Sequence, residues 1–383
     1  MALTAALVER FLTRQETGSA HYFEANEIVD LIHYFYETDD EAHLEEAVEL
    51  AKTLHPDNID IQVTLCQTLV WSEEYESALE LLDTLHLQGD QDADMLRLEC
   101  YLSLDKFDEA LNFVDELTDT NCDYLDDAFV EIACTMNEKN ELLEKAYQFI
   151  QKGIALFPEN DSLHSELCLN LYVRGFHHEA MEMCRQLTLD FPDSTEIWYL
   201  LSELYYDCAD YENAVTAIDY ALSSAIAEDN NEVIYELTWT KARHLFKNQS
   251  YILAISTFRE LTSCDEYDAV KVNPCMAECY MYLTNFRAAY DLLKAIYGQD
   301  EIEDKIAFYG NYIYCCIYTD RRNEAIDVLC EALKNYPYGI LEYLASMNYK
   351  IRHQMDMEYI DEATLGGTGE LVRDFLINTA YYN

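Results

Sequence analysis

The stretch "IWYLLSELYYDCADYENAVTAIDYAL", residues 197–222, carries two amphipathic patterns that meet at "DCAD". In each pattern the residues of one face recur at intervals of three and four, which places them on one side of an α-helix. The first face consists of Trp198, Leu201, Ser202 and Tyr205, and the second of Tyr211, Ala214, Ile218 and Ala221. The stretch therefore predicts a helical hairpin, with the small residues Ser202 and Ala214 in the middle of bulky apolar faces.

The second half of this pattern recurs along most of the chain. An alanine is preceded, three positions earlier, by an aromatic or apolar residue in most copies, and is followed by apolar residues four and seven positions later. The matching alanines are Ala47, Ala78, Ala110, Ala146, Ala180, Ala214, Ala254, Ala289 and Ala325. The steps between them run from 31 to 40 residues. A period near 34 residues with two helices per unit predicts an all-α solenoid.

These units resemble tetratricopeptide repeats (TPR), and the resemblance covers roughly residues 24–337, about nine units. Prolines fall twelve residues after the alanine at Pro158, Pro192 and Pro337, as in that family. The resemblance implies a superhelical solenoid over 24–337, with a capping helix in 1–23 and capping helices in 338–383. The Ala47 unit reaches Pro56 after only nine residues, which predicts a short second helix.

The small residues have a packing explanation. Two antiparallel helices approach to about 8–10 Å only where the side chains at their crossing are small. We expect Ser202 and Ala214 to mark that crossing, with Trp198 and Tyr205 filling the space above and below it. Cys66, Cys168, Ala242 and Ala277 occupy the position of Ser202 in other units, although Leu98 and Ile313 do not.

The chain is strongly acidic, with 74 Asp and Glu residues against 24 Lys and Arg and a net charge of −50. Residues 21–140 alone hold 32 acidic residues and four basic ones. Such a field repels nucleic acid and anionic membranes, and it excludes both as partners of this part of the chain. Two explanations stay open: solvated helix faces that keep the protein soluble, or a docking surface for a basic partner.

The remaining bulk features favour a cytoplasmic protein. The thirteen cysteines lie mostly inside apolar helical patterns and form no C-x-x-C, as expected for buried, reduced thiols. The start "MALTAALVERFLTRQ" lacks the pattern of a signal peptide, and no apolar run of about 18 residues spans a membrane.

Signatures of catalysis and cofactor binding are missing from the sequence. It contains no G-x-G-x-x-G, no P-loop and no G-x-S-x-G motif. "GDQDAD" alternates Asp90, Asp92 and Asp94 like the start of a calcium loop, but Met95 and Tyr101 stand where glycine and glutamate are needed. We therefore predict a protein that is not an enzyme and that binds no metal or cofactor.

The resemblance also implies a concave groove lined by the first helix of each unit. Helical spacing then selects the groove candidates Gln67, Trp71, Glu99, Tyr199, Glu203, Tyr206, Trp239, Arg243, Phe246, Glu278, Tyr282, Tyr314 and Tyr318. Their aromatic and acidic character predicts a protein scaffold that binds a basic or amphipathic segment. Alternatively, some of these rings pack between adjacent repeats. A small-ligand or glycan-binding module, an enzyme on a helical scaffold, and self-association are the other hypotheses.

Overall fold

The computed structural model describes residues 2–17, 22–85, 87, 89–120, 122–227, 230–262, 267–336, 339–340, 342–344 and 346. This part of the chain forms nineteen α-helices and one short 3-10 helix, without a β-strand. The predicted all-α helical-repeat fold is therefore confirmed. Of the predicted carboxyl-terminal capping helices, residues 347–383 lie outside the described residues. Ile340 and Leu344 before them are buried in the same apolar cluster as Phe308 and Val328.

The chain divides into two compact units, Met1–Phe176 and His177–Asn383. The helices of the first unit are α1 (Ala2–Thr17), α2 (Ala25–Glu37), α3 (Glu41–Leu54), α4 (Ile59–Trp71), α5 (Tyr75–Leu85), α6 (Gln91–Ser103), α7 (Phe107–Thr120), α8 (Leu125–Asn137), α9 (Leu143–Leu156) and α10 (Asp161–Val173). Each of these helices packs against its neighbour in sequence. In addition, α2, α4, α6, α8 and α10 each contact the next member of that row.

The helices of the second unit are α11 (His177–Asp190), α12 (Thr195–Asp207), α13 (Tyr211–Ala227), α14 (Asn231–Lys247), α15 (Tyr251–Leu261), α16 (Ala269–Tyr282), α17 (Phe286–Ala295), α18 (Lys305–Tyr318) and α19 (Arg322–Asn335). Consecutive helices again pack as neighbours, and α16 also contacts α18. None of the helices in the described part of the chain is both long and apolar enough to cross a membrane.

The spacing of the alanines places every one of them in the core. Eight of the nine are fully buried and Ala325 is 6% exposed. Ser202 and Ala214 are both fully buried, in agreement with a close helix crossing. Trp198 and Tyr205 are only half-buried, whereas Ile197, Leu200, Leu201 and Leu204 form the buried face of α12. The core face is thus rotated slightly from the predicted one.

The first repeat corrects the prediction made from Pro56. Helix α3 spans 14 residues, as many as α7 or α9. It begins six residues before Ala47, where α5 begins only three residues before Ala78. The side chain of Asp40 caps this extra turn by accepting a hydrogen bond from the backbone nitrogen of His43 at 3.4 Å. The early start of the helix therefore compensates for its early end.

The insertion before Ala146 is accommodated by the 3-10 helix Asn140–Leu142. Two buried asparagines fix the neighbouring helices. The Nδ2 atom of Asn170 donates to the Oδ1 atom of Asn137 at 2.7 Å, and Asn137 in turn donates to the carboxylate of Glu166 at 2.8 Å. This polar chain joins α8 to α10 in the interior of the first unit.

Most hairpins turn on one residue in the left-handed conformation. These residues are Asp39, Glu73, Asp105, Gly175, Ala209, Gln249, Thr284 and Asp320, with φ between 55° and 85°. At Thr284, the backbone nitrogens of Thr284 and Asn285 bond back to the carbonyls of Met281 and Tyr280, at 2.9 and 2.8 Å. These two hydrogen bonds satisfy the last carbonyl groups of the helix. Glycine is the residue best suited to the left-handed position between them.

We expect Thr284→Gly to stabilise the second unit by about 1 kcal/mol, because a β-branched residue is strained in the left-handed region. The reverse change, Gly175→Thr, is expected to destabilise by a similar amount. No described atom lies within 4 Å of a Cβ built at Gly175, so that change tests the backbone alone. Thermal unfolding of both variants checks the sign; a lower melting temperature for Thr284→Gly would contradict it.

The twelve described cysteines are free thiols, and seven of them are buried. Burial raises the pKa of Cys66 and Cys279 to about 12 and that of Cys100 to about 11. These side chains act as small apolar residues of the helix interfaces.

Candidate functional site

A groove of about 600 Å³ lies along the first helices of the amino-terminal unit. It is lined by residues of α2, α4, α6 and α8 together with Asp90, the residue before α6. Its ionisable residues are His33, Asp60, Asp90, Asp92, Glu99 and Glu131. The lining contains five carboxylates and neither lysine nor arginine among the described residues. Of the three predicted groove residues in this unit, Gln67 and Glu99 belong to the lining and Trp71 does not.

Glu99 is the groove carboxylate whose charge is least favourably placed among the described residues. Burial raises the pKa of Glu99, and the nearby carboxylate of Glu131 raises it further. Both effects mean that negative charge is held where water stabilises it weakly. A cationic group placed here would be attracted by several carboxylates at once.

Trp71 belongs to an aromatic group at the end of α4. Its ring stacks on Tyr36 with centroids 3.8 Å apart and planes within 7°. His33, which lines the groove, meets the edge of the same indole at 5.4 Å. The indole is half-buried, whereas Tyr36 is 44% exposed. The predicted residue Trp71 thus lies beside the groove and supports one of its walls.

In the carboxyl-terminal unit, α12 and α14 bring four predicted residues together. These residues are Tyr199, Glu203, Tyr206 and Arg243. Two of them, Glu203 and Tyr206, contact a histidine that sequence reasoning missed, His244. The Nε2 atom of His244 lies 3.0 Å from the Oε1 atom of Glu203, and the imidazole stacks on Tyr206 at 4.8 Å. The guanidinium of Arg243 also lies over the ring of Tyr206, 5.7 Å from its centroid.

The exposure of this group is uneven. Tyr199 is 40% exposed, and burial of its hydroxyl end, followed by the charge of Glu203, raises its pKa. His244 is fully buried, and its Nδ1 atom has no hydrogen-bond partner among the described residues. The pair of Glu203 and His244 therefore ties α12 to α14, and Tyr199 is the residue most open to a ligand.

The other predicted aromatic residues pack against helices of the same repeat or of the next one. Trp239 packs against Phe258 at 5.5 Å and lies under the ammonium of Lys271 at 5.0 Å. Phe246 meets the edge of Tyr282 at 5.6 Å. Tyr282 itself keeps 38% of its surface exposed. These contacts agree with the alternative in which the rings are packing residues.

The last repeat buries one candidate and leaves another partly open. Tyr314 is only 8% exposed and stacks on Tyr318 at 5.2 Å. Tyr318 is 39% exposed and also stacks on Phe286 at 4.3 Å. The carboxylate of Glu278 accepts a hydrogen bond from the side chain of Asn311 at 3.1 Å. Glu278 thus contributes to the link between α16 and α18.

Two of the three alternating aspartates after Gly89 have structural roles, and the third, Asp92, lines the groove. Asp90 caps α6 by accepting a hydrogen bond from the backbone nitrogen of Ala93 at 3.0 Å. Asp94 is buried and accepts from the hydroxyl of Tyr124 at 2.6 Å and from the backbone nitrogen of Gly89 at 3.2 Å. Burial raises the pKa of Asp94. The described residues contain no cluster of metal-binding side chains.

A protein-family model described as "Tetratricopeptide repeat" matches residues 40–99. The chain is 30% identical, over 138 residues, to the human protein O-mannosyl-transferase TMTC1. That alignment covers 36% of this chain but only 14% of the human protein.

Several solved structures are similar to the chain. YrrB, a TPR protein with an unusual peptide-binding site, is 17% identical with a TM-score of 0.44, covering 52% of this chain and 97% of its own. PilF of Pseudomonas aeruginosa is 15% identical with a TM-score of 0.46, covering 58% and 97%. The human IFIT1 dimer with m7Gppp-AAAA is 12% identical with a TM-score of 0.46, covering 99% and 93%.

Proposed function

We propose, from the premise that this chain is a tetratricopeptide-repeat protein, that it is a non-catalytic scaffold that binds a partner protein. The partner contributes a basic or amphipathic segment, and the acidic groove of the amino-terminal unit holds it. The proposal places the protein in the cytoplasm, in keeping with its free, buried thiols.

The observation that carries the proposal is the groove along α2, α4, α6 and α8. Its five carboxylates have no lysine or arginine among the described lining residues. Burial raises the pKa of Glu99, and the charge of Glu131 adds to that rise. A lysine or arginine of the partner would relieve this repulsion, while Val63 and Leu96 offer apolar contact.

The test is binding of a labelled amphipathic Lys/Leu peptide to the full chain, followed by fluorescence anisotropy. We expect Glu99→Gln with Glu131→Gln to weaken binding by about tenfold, since each lost charge contact is worth roughly 0.5–1 kcal/mol. Binding should also weaken with salt, because the screening length falls from about 10 Å at 0.1 M to about 3 Å at 1 M.

The matched control is Glu80→Gln with Glu109→Gln, which removes the same charge from exposed positions on α5 and α7. It should leave the affinity within about twofold, because neither charge belongs to the groove lining and both are exposed to screening by solvent. Equal losses in both double variants would mean that the peptide responds only to net charge. Preferred binding of a Glu/Leu peptide would overturn the proposal.

A further inference from the structure

Two large apolar side chains are exposed at the start of α15. Ile252 is 72% exposed and Leu253 is 58% exposed. They occupy the two positions before the repeat alanine Ala254, and in each of the other eight repeats at least one of these positions holds a charged residue. Examples are Glu-Ser before Ala78 and Glu-Asn before Ala214. The apolar pair is therefore a departure confined to one repeat.

The pair lies next to further exposed apolar surface. Tyr251, which precedes Ile252, stacks on Tyr282 of the following repeat with centroids 4.7 Å apart and planes within 3°. Tyr282 and its neighbour Leu283 are each 38% exposed. We call Ile252, Leu253, Tyr282 and Leu283 the turn patch. Neighbouring exposed apolar side chains of this kind mark interaction surfaces in soluble proteins.

The charge around the turn patch indicates what covers it. Residues 241–294 contain seven basic and six acidic side chains, a net charge of +1. The rest of the chain carries 68 acidic and 17 basic residues, a net charge of −51. In a symmetric dimer each surface faces the same surface of the second copy, and therefore the same charge. Contacts through most of this acidic molecule would be repulsive. The turn patch lies in a stretch whose net charge is close to zero, so this repulsion is small there.

We propose that the turn patch is the contact surface of a homodimer, covered by the same patch of a second copy of this chain. The contact is isologous, so that Ile252 and Leu253 of each copy pack against the turn patch of the other. Salt strengthens this dimer, because it screens the repulsion between the acidic remainders and leaves the apolar contact intact. The opposite salt response separates it from binding in the acidic groove.

The test is sedimentation velocity of the full chain over the micromolar range, at low and at high salt. We expect a concentration-dependent dimer whose dissociation constant falls as salt rises. Ile252→Glu with Leu253→Glu should raise that constant by about a hundredfold, because four carboxylates would be buried in one contact. The control is Ile226→Glu with Ala227→Glu, an exposed adjacent pair at the end of α13, which should leave the dimer unchanged.

A second measurement does not depend on the stability of a variant. A photo-crosslinking amino acid at position 252 should join two copies within the turn patch. A chain that stays monomeric under all these conditions would overturn the proposal. So would a dimer that persists in the Ile252→Glu, Leu253→Glu chain, or crosslinks that lead only to other surfaces.

Discussion

Replacing Ala214 with leucine is expected to destabilise the carboxyl-terminal unit by about 3 kcal/mol, because the crossing of α12 and α13 has no space for a larger side chain. Ala214 and Ser202 are both fully buried. The hydroxyl of Ser202 donates a hydrogen bond to the carbonyl of Tyr199 at 2.7 Å. Moving Ser202 to make space would strain or break this bond. Three added carbon atoms would have to force the two helices apart.

The control is Ala227→Leu, the same substitution at an exposed position at the end of the same helix. Urea unfolding followed by circular dichroism measures both variants. Hydrogen exchange shows whether the loss is confined to the helices near α13, as expected for repeats that are stabilised by their neighbours. Equal stability of the Ala214→Leu and Ala227→Leu chains would disprove the close crossing.

Replacing Glu324 with glutamine is expected to destabilise the last repeat by about 2 kcal/mol at pH 7. The carboxylate accepts hydrogen bonds from the hydroxyls of Tyr312 and Tyr290 at 2.6 and 2.9 Å and from the ammonium of Lys294 at 2.8 Å. Burial alone would raise its pKa, but these three donors outweigh it and hold the pKa at about 2. The side chain is 31% exposed, and solvent screening reduces the stabilisation accordingly.

The effect depends on pH with a definite sign. Because the pKa of Glu324 is lower in the folded chain than its usual 4.5, the ionised carboxylate stabilises the fold fully above about pH 4.5. That contribution disappears as the pH falls toward 2. The difference in unfolding free energy between the natural chain and Glu324→Gln should therefore be large at pH 7, clearly smaller at pH 3 and close to zero only near pH 2.

Asp327→Asn, an exposed change on the same helix, is the control for the general response to acid. Its difference from the natural chain should stay within about 0.5 kcal/mol at both pH values. A Glu324→Gln effect that is the same at pH 7 and pH 3 would show that the charge of the carboxylate is not what stabilises the repeat.

The repeat could be predicted from the sequence because it depends on spacing along one helix. An alanine that must be buried leaves a periodic trace, and all nine alanines of that trace are buried. The departures come from the same limitation. Periodicity fixes a helical face only to within about one residue, or roughly 100° of rotation. This is why Ile197 and Leu204 replace Trp198 and Tyr205 as the most buried residues of α12.

The candidate site shows the limit more clearly. Tyr314 and Trp239 follow the spacing of the groove, but each first helix also packs against adjacent repeats, and periodicity alone does not separate the two surfaces. His244 follows Arg243 directly and turns inward to meet Glu203, 41 positions earlier in the chain. Only the packing of α12 against α13 and α14 brings that pair together. No local pattern in the sequence predicts the contact between Glu203 and His244.

The different reactivities of the thiols allow fluorescent labels to be attached at chosen positions of the natural chain. Maleimides react with thiolates, and a pKa of about 11 to 12 leaves a thiol such as Cys66 or Cys100 almost entirely protonated at neutral pH. Three described cysteines are exposed, and partial burial of the sulfur together with nearby carboxylates raises the pKa of one of them, Cys134, to about 11. The other two are Cys208, beside the turn after α12, and Cys330, within α19. Fluorophores would therefore attach first at Cys208 and Cys330. Energy transfer between the two labels would measure changes in distance within the carboxyl-terminal unit, without a new cysteine.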